Sequence, residues 1–186
     1  MVQVKERLFQ EVKAKFESLN TDLTKMEYLE SALRGSDVNM DVKKFALGTL
    51  AFLYEKKLMF DKAAKAMAGK AGYDITFREK IESYLKAAEY YAKAGNILGA
   101  DDAFARASRE GNPDQQIKIA LAKKNTYFTV ANDLERRMRM TNAVKFYEHL
   151  LGMKLDELEK TMIKNKLSEY YKRIGKFADA KSVELR

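Results

Sequence analysis

The sequence predicts an all-α protein built from about five helical hairpins. Strong helix formers dominate its 186 residues, which include a single proline. Apolar residues recur at helical spacing along nearly the whole chain, and turn signals interrupt them at regular intervals. One phrase occurs twice, at 91–100 and 171–180: Tyr, Gly four residues later, then an apolar residue and Ala. Its recurrence indicates an array of helix–turn–helix units.

Caps and breakers divide the chain into ten predicted helices. Thr21 and its neighbours cap the second helix, Ser36 and Asp37 open the third, and Thr76 with Glu79 forms a capping box for the fifth. The predicted helices cover about 2–18, 22–34, 36–57, 59–70, 76–93, 96–109, 113–137, 140–151, 155–174 and 176–186.

The strongest signal for a helix boundary in the chain precedes the seventh helix. Asn112 is a good N-cap residue, and Pro113 falls at the first helical position, where its missing N–H costs nothing. No segment has the composition of a linker, and a single hairpin cannot bury its apolar face alone. Residues 1–186 are therefore expected to form one domain.

Composition excludes several chemistries. The chain has no cysteine, so it can form no disulfide, thiolate nucleophile or sulfur-ligated metal site, and it suits a reducing compartment. The N-terminus is too charged for a signal peptide. The longest apolar run, 45–54, is about half the length of a membrane span. We expect a soluble, cytoplasmic protein.

Positive charge is concentrated in the C-terminal half. The net charge is +8. Seven Lys and Arg lie between 117 and 146 against two acidic residues, and six lie between 160 and 176 against one. This distribution suits an acidic protein partner, nucleic acid or another acidic surface. A lysine-rich, solvated helix surface is the alternative interpretation.

The small and aromatic residues of the hairpins resemble the tetratricopeptide repeat family. The joint residues Tyr54, Tyr91, Leu134 and Tyr171 are separated by 37, 43 and 37 residues, which is longer than the family's 34-residue repeat and closer to the SNAP adaptor variant. The resemblance covers about residues 40–186 and, more weakly, 1–35. The residues on the family's pattern in the best unit are Tyr84, Ala87, Ala88, Tyr91, Gly95, Ile97, Ala100, Phe104 and Ala107.

The resemblance implies a right-handed superhelix whose first helices line a concave groove. That groove, formed by the third, fifth, seventh and ninth helices, would bind a peptide or partner helix, and the positive charge of the C-terminal half predicts that this ligand is acidic. Amides would bond an extended backbone, an aromatic ring would form a pocket wall and Arg136 would pair with a carboxylate. The candidate groove residues are Asn125, Phe128, Asn132, Arg136, Asn165, Arg173, Lys93 and Leu85.

The groove interpretation has one alternative and one restriction. Phe128 fits an ordinary packing stripe equally well. Family members that clamp a C-terminal carboxylate place Lys and Asn on the first groove helix, where this chain has Gly48 and Phe52. We therefore expect no carboxylate clamp in that unit.

Catalysis is not expected, and no cofactor or metal is predicted. The only histidine, His149, has no evident nucleophile or metal-ligand partner and is interpreted as a helix-end residue. The glycines at 69 and 72 lack the spacing of a phosphate loop. Two groups of carboxylates, Asp101 with Asp102 and Asp156 with Glu157 and Glu159, fall near helix starts, where carboxylates are favoured electrostatically.

Two other binding modes remain open. Helical repeats also bind RNA, and Tyr127, Tyr170 and Tyr171 interleave with lysines and arginines that would neutralise phosphates. The last helix carries Phe177 and Leu185, so the C-terminal edge is a candidate surface for homo-oligomer formation.

Overall fold

The computed structural model describes residue 6, residues 8–35 and residues 38–185. All regular secondary structure in this part of the chain is helical, which confirms the predicted all-α class. The helices are α1 (Phe9–Ser18), α2 (Asp22–Arg34), α3 (Met40–Lys56), α4 (Phe60–Ala71), α5 (Phe77–Lys93), α6 (Ile97–Glu110), α7 (Pro113–Arg136), α8 (Met140–Leu151), α9 (Glu157–Arg173) and α10 (Phe177–Leu185).

Side-chain caps fix several helix starts. The predicted capping box of α5 is confirmed, since the Glu79 amide donates to Thr76 Oγ1 at 3.2 Å and the Thr76 amide donates to Glu79 Oε2 at 3.3 Å. Asn112 and Gln115 exchange the same pair of hydrogen bonds before α7. A third reciprocal cap, Asp156 with Glu159, opens α9.

The third helix begins later than the sequence predicts. Its N-cap is Asn39, whose Oδ1 accepts a hydrogen bond from the Val42 amide at 2.9 Å. The predicted opening residues Ser36 and Asp37 lie outside the described residues, as do 2–5 and 7 of the first predicted helix. Asn39 matches the preference for a side-chain acceptor as well as Ser36 does, so local sequence did not distinguish the two positions.

Contacts within the chain divide it into two compact units, Met1–Ile119 and Ala120–Arg186, here called unit 1 and unit 2. Their border falls inside α7. The prediction of one domain stays a prediction. Each unit has its own buried apolar residues. Those of unit 1 include Leu29, Val42, Leu50, Ala63 and Ala87, and those of unit 2 include Tyr127, Phe146, Leu150, Ile163 and Leu167.

Helix boundaries repeat at an offset of 80 residues. Helices α4, α5 and α6 begin at 60, 77 and 97, whereas α8, α9 and α10 begin at 140, 157 and 177. When residues 40–106 are aligned with 120–186 without gaps, 17 of the 67 positions carry the same amino acid. Unit 2 therefore resembles residues 40–106 in sequence and in helix pattern, and the two segments are here called the two copies.

The joints of the two copies share unusual backbone conformations. Leu58 and Met138 both have φ of 57°, and Gly95 and Gly175 have φ of 81° and 79°. Each pair is again 80 residues apart. The left-handed region favours glycine because glycine has no Cβ. Gly95 and Gly175 are the glycines of the sequence motif that occurs at 91–100 and again at 171–180.

Candidate binding face on unit 2

Two ion pairs hold α7 and α9 side by side within unit 2. Lys124 Nζ lies 2.6 Å from Glu159 Oε1, and Lys166 Nζ lies 2.6 Å from Glu135 Oε2. The residue order, 124 with 159 and 135 with 166, shows that the two helices run parallel. The four side chains are 21–30% exposed, so water screens these pairs less than it screens fully exposed ones.

A row of side chains follows α7 beside these ion pairs. Its members stand 4, 3, 4 and 4 residues apart, the spacing of one helix face: Leu121, Asn125, Phe128, Asn132 and Arg136. Asn125 and Arg136 are exposed, whereas Phe128 and Asn132 are half-buried. All the α7 residues predicted for the groove therefore lie on one face.

A second row follows α9 at the same spacing: Leu158, Met162, Asn165, Glu169 and Arg173. Successive residues are turned by 100° about the helix axis, so the α7 row is rotated about that axis in one sense from Lys124 and Glu135. The α9 row is rotated in the opposite sense from Glu159 and Lys166. In two parallel helices, this arrangement puts both rows on the same side. We call the two rows together the α7–α9 face. It exposes apolar surface, since Leu158 is 84% and Met162 43% exposed.

A polar network lies behind Asn132. The Tyr147 hydroxyl lies 2.8 Å from Asn132 Oδ1 and 2.9 Å from Glu135 Oε2. Burial raises the pKa of Glu135, but hydrogen bonds from Lys166, Tyr170 and Tyr147 lower it by more, and the pKa stays below its ordinary value. Glu135 is thus ionised and its charge is neutralised by Lys166. The Asn132 oxygen is used inside the unit, and its NH₂ group is the part suited to a ligand.

Positive charge on this face is only partly compensated. Arg173 pairs with Glu169 at 2.5 Å on the same helix, whereas Arg136 makes no ion pair with any described residue. Unit 2 contains 15 Lys and Arg against 9 Asp and Glu, so it holds six of the eight net positive charges of the chain. The α7–α9 face therefore lies in a basic unit.

The other two predicted groove residues belong to unit 1. Leu85 is half-buried on α5, and Lys93 is exposed near the end of that helix. The Lys93 ammonium lies 3.6 Å from Glu55 Oε1 and 5.7 Å from the centre of the Tyr90 ring. Lys93 is thus engaged within unit 1.

Sequence reasoning missed the ion pairs that position α7 and α9. For the pair of Lys124 with Glu159 the sequence signal is the 80-residue offset, because Lys44 Nζ and Glu79 Oε1 form the equivalent pair in unit 1 at 2.7 Å. Alignment of the whole chain with itself would have found both copies. The exposed apolar members Leu121, Leu158 and Met162 were missed as well, since helical periodicity alone assigns such residues to the core.

The residues considered for catalysis have structural contacts. His149 lies in the last turn of α8, where its ring meets the edge of Tyr127 at 5.0 Å between centroids. Within residues 8–35 and 38–185, no group of three metal-ligating side chains is assembled. Across the same residues, none of the helices has the length and apolar character needed to cross a membrane.

The tyrosines considered for RNA stacking are buried. Tyr127, Tyr170 and Tyr171 are all less than 9% exposed. A base-stacking platform needs an accessible ring face, so these three rings do not supply one. Attraction between the basic residues of unit 2 and phosphate groups remains as the support for RNA binding.

No family model and no curated protein sequence matches this chain.

Proposed function

We propose that this chain is a non-catalytic helical-repeat adaptor, similar to tetratricopeptide proteins, that binds an acidic peptide or acidic partner helix on the α7–α9 face. The arrangement of α7 and α9 is the main support: two ion pairs align two rows of amide, apolar and cationic side chains on one side. A cytoplasmic location, which suits the cysteine-free sequence, is part of the proposal.

The rows offer complementary contacts for such a ligand. Leu158 and Met162 would pack against its apolar residues, and the amides of Asn125 and Asn165 would bond its polar groups. Arg136 would pair with a carboxylate of the ligand. Because these charges lie at the exposed rim, they would increase the association rate more than the affinity.

A charge reversal at Arg136 tests the acidic preference. The probe is a fluorescein-labelled helical peptide of Glu, Leu and Ala, and binding is followed by fluorescence anisotropy. We expect Arg136→Glu to weaken binding about three- to tenfold, since one favourable rim pair becomes repulsive. Lys145→Glu on α8 is the matched control, because it changes the net charge equally at an exposed position off this face. Equal loss in both variants would show non-specific attraction.

The double variant Phe128→Ala/Arg136→Ala tests the face itself. It is expected to abolish peptide binding while circular dichroism keeps the helical signal. Loss of helical signal would instead assign Phe128 to the core. A generic labelled RNA serves as the competing probe: tight binding with a shallow salt dependence would favour RNA over protein, whereas weak binding that salt removes reflects phosphate attraction alone.

A further inference from the structure

One difference between the two copies lies at the position of Gly48. At the 80-residue offset Gly48 corresponds to Phe128, so unit 1 lacks a side chain where unit 2 carries a phenyl ring. In unit 1 this position borders an open cavity of about 540 Å³. The cavity, here called the Gly48 cavity, is lined by Phe9, Asp41, Lys44, Phe45, Gly48, Thr49 and Lys70.

Apolar groups form the walls of the Gly48 cavity. The rings of Phe9 and Phe45 meet edge to face with centroids 5.5 Å apart. A Cβ placed on Gly48 would lie 3.4 Å from Lys70 Cδ and 3.6 Å from its Cε, so the aliphatic stem of Lys70 passes beside the glycine. The missing side chain at position 48 thus leaves room beside aromatic and methylene surface.

The two lysine ammoniums of the cavity are neutralised elsewhere. Lys70 Nζ lies 2.9 and 3.1 Å from the two Asp74 oxygens and 2.9 Å from Ser83 Oγ. Lys44 Nζ lies 3.0 Å from Asp74 Oδ1 and 2.7 Å from Glu79 Oε1. Two cations therefore balance two carboxylates, and Asp74 is only 4% exposed.

Among the described residues, Asp41 is the charged residue of the lining that no ion pair neutralises. Its side chain is exposed and forms no ion pair with a described residue. The rim of the Gly48 cavity is therefore acidic, whereas unit 2 as a whole is basic. A ligand that complements this site combines an apolar side chain with a neighbouring positive charge.

We propose that the Gly48 cavity binds a Phe or Leu side chain of a peptide in which Lys or Arg stands next to that residue. The apolar side chain would occupy in unit 1 the position that Phe128 occupies in unit 2, and the cation would pair with Asp41. This site lies in unit 1, whereas the α7–α9 face lies in unit 2, and the two sites prefer ligands of opposite charge. The test of the Gly48 cavity is therefore independent of the test of the proposed function.

Titration of the ¹⁵N-labelled full chain with three blocked peptides tests the site. The peptides are acetylated and amidated Gly-Lys-Phe-Lys-Gly, Gly-Lys-Ala-Lys-Gly and Gly-Glu-Phe-Glu-Gly. We expect the first to shift the Gly48 and Thr49 amide resonances to saturation, and the other two to bind at least about tenfold and about threefold more weakly, respectively. Equal binding of the Phe and Ala peptides, or stronger binding of the Glu peptide, would overturn the proposal.

Filling the cavity supplies the decisive variant. Gly48→Leu is expected to weaken the Lys-Phe-Lys peptide at least about tenfold, because the new side chain occupies the ligand's place. Gly48→Ala adds one methyl group and is expected to weaken it about threefold, which keeps the test valid if the larger side chain prevents folding. Gly69→Ala is the control, since its Cβ would meet Leu47 at 3.5 Å rather than the cavity. Unchanged affinity in both Gly48 variants would refute the site.

Discussion

At the scale of single residues, hydrogen bonds from buried tyrosines to glutamates on helices earlier in the chain recur through the molecule. The Tyr54 hydroxyl donates to Glu30 at 2.5 Å, and the Tyr90 hydroxyl donates to Glu55 at 2.6 Å. In unit 2, Tyr171 donates to Glu148. Each bond joins two helices and satisfies a hydroxyl that would otherwise be buried without a partner.

Removing one of these hydroxyls is expected to destabilise the fold. Tyr90→Phe should lower the free energy of unfolding by about 1–2 kcal/mol, because the hydrogen bond to an ionised carboxylate is lost. The substitution also acts on Glu55, because the hydrogen bond from Tyr90 is the largest cause that lowers the pKa of this carboxyl group. Urea unfolding measures the change. Tyr73→Phe is the control and should have little effect, since Tyr73 contacts Lys43 through its ring; equal losses would contradict the assignment.

At the scale of helices, the joints depend on left-handed backbone conformations at matched positions. Gly95 and Gly175 end α5 and α9, and a Cβ on either residue would meet no atom within 4 Å. Any loss of stability on substitution of either glycine would therefore come from backbone strain at positive φ and not from a steric clash of the new side chain. Leu58 and Met138, after α3 and α7, adopt a left-handed conformation with a side chain present, which costs free energy that glycine would avoid.

A pair of opposite substitutions tests this difference between the joints. Gly175→Ala should lower the free energy of unfolding by about 1–2 kcal/mol, because alanine resists positive φ. Met138→Gly should raise it by about 0.5–1 kcal/mol, as relief of strain exceeds the entropy cost of glycine. Met138 is 73% exposed, so little packing is lost. Thermal melts of both variants give the sign, and destabilisation by Met138→Gly would contradict the strain.

At the scale of the whole molecule, buried tyrosines and the buried Asp74 make the stability depend on pH at both extremes. Burial, followed by charge and hydrogen bonding at Glu6, raises the pKa of Tyr28 from 10.0 to about 12. Burial is also the largest cause that raises the pKa of Tyr54, Tyr90 and Tyr147. The pKa of Asp74 is lowered, since hydrogen bonds from Ser83, Lys70 and Lys44 outweigh its burial.

The sign of each shift gives the expected pH profile. Tyrosines with a raised folded pKa stabilise the protein below pH 10 and lose that contribution as pH rises above it. Asp74, with a lowered folded pKa, stabilises above about pH 4 and loses its contribution below that. Urea midpoints between pH 3 and 11.5 should show a plateau that declines at both ends. Tyr90→Phe should flatten the alkaline decline; an unchanged slope would contradict the role of Tyr90.

Local signals predicted the helices well because caps and breakers act within a few residues. Thr76, Asn112 and Gly175 mark joints that the structure confirms. The α3 start was wrong because two neighbouring segments carry equally good caps. The rows of α7 and α9 each follow from helical spacing. The pairing of Lys124 with Glu159, two residues that are 35 positions apart in the sequence, depends on how the helices pack, and the spacing of apolar residues within one helix does not predict this packing.

The 80-residue offset has a consequence for how the gene can change. Because every helix start and joint from α4 to α6 recurs in register from α8 to α10, recombination between the two copies would remove or add 80 codons and leave each cap beside its own helix. Such an exchange would therefore change the length of the chain by one whole copy.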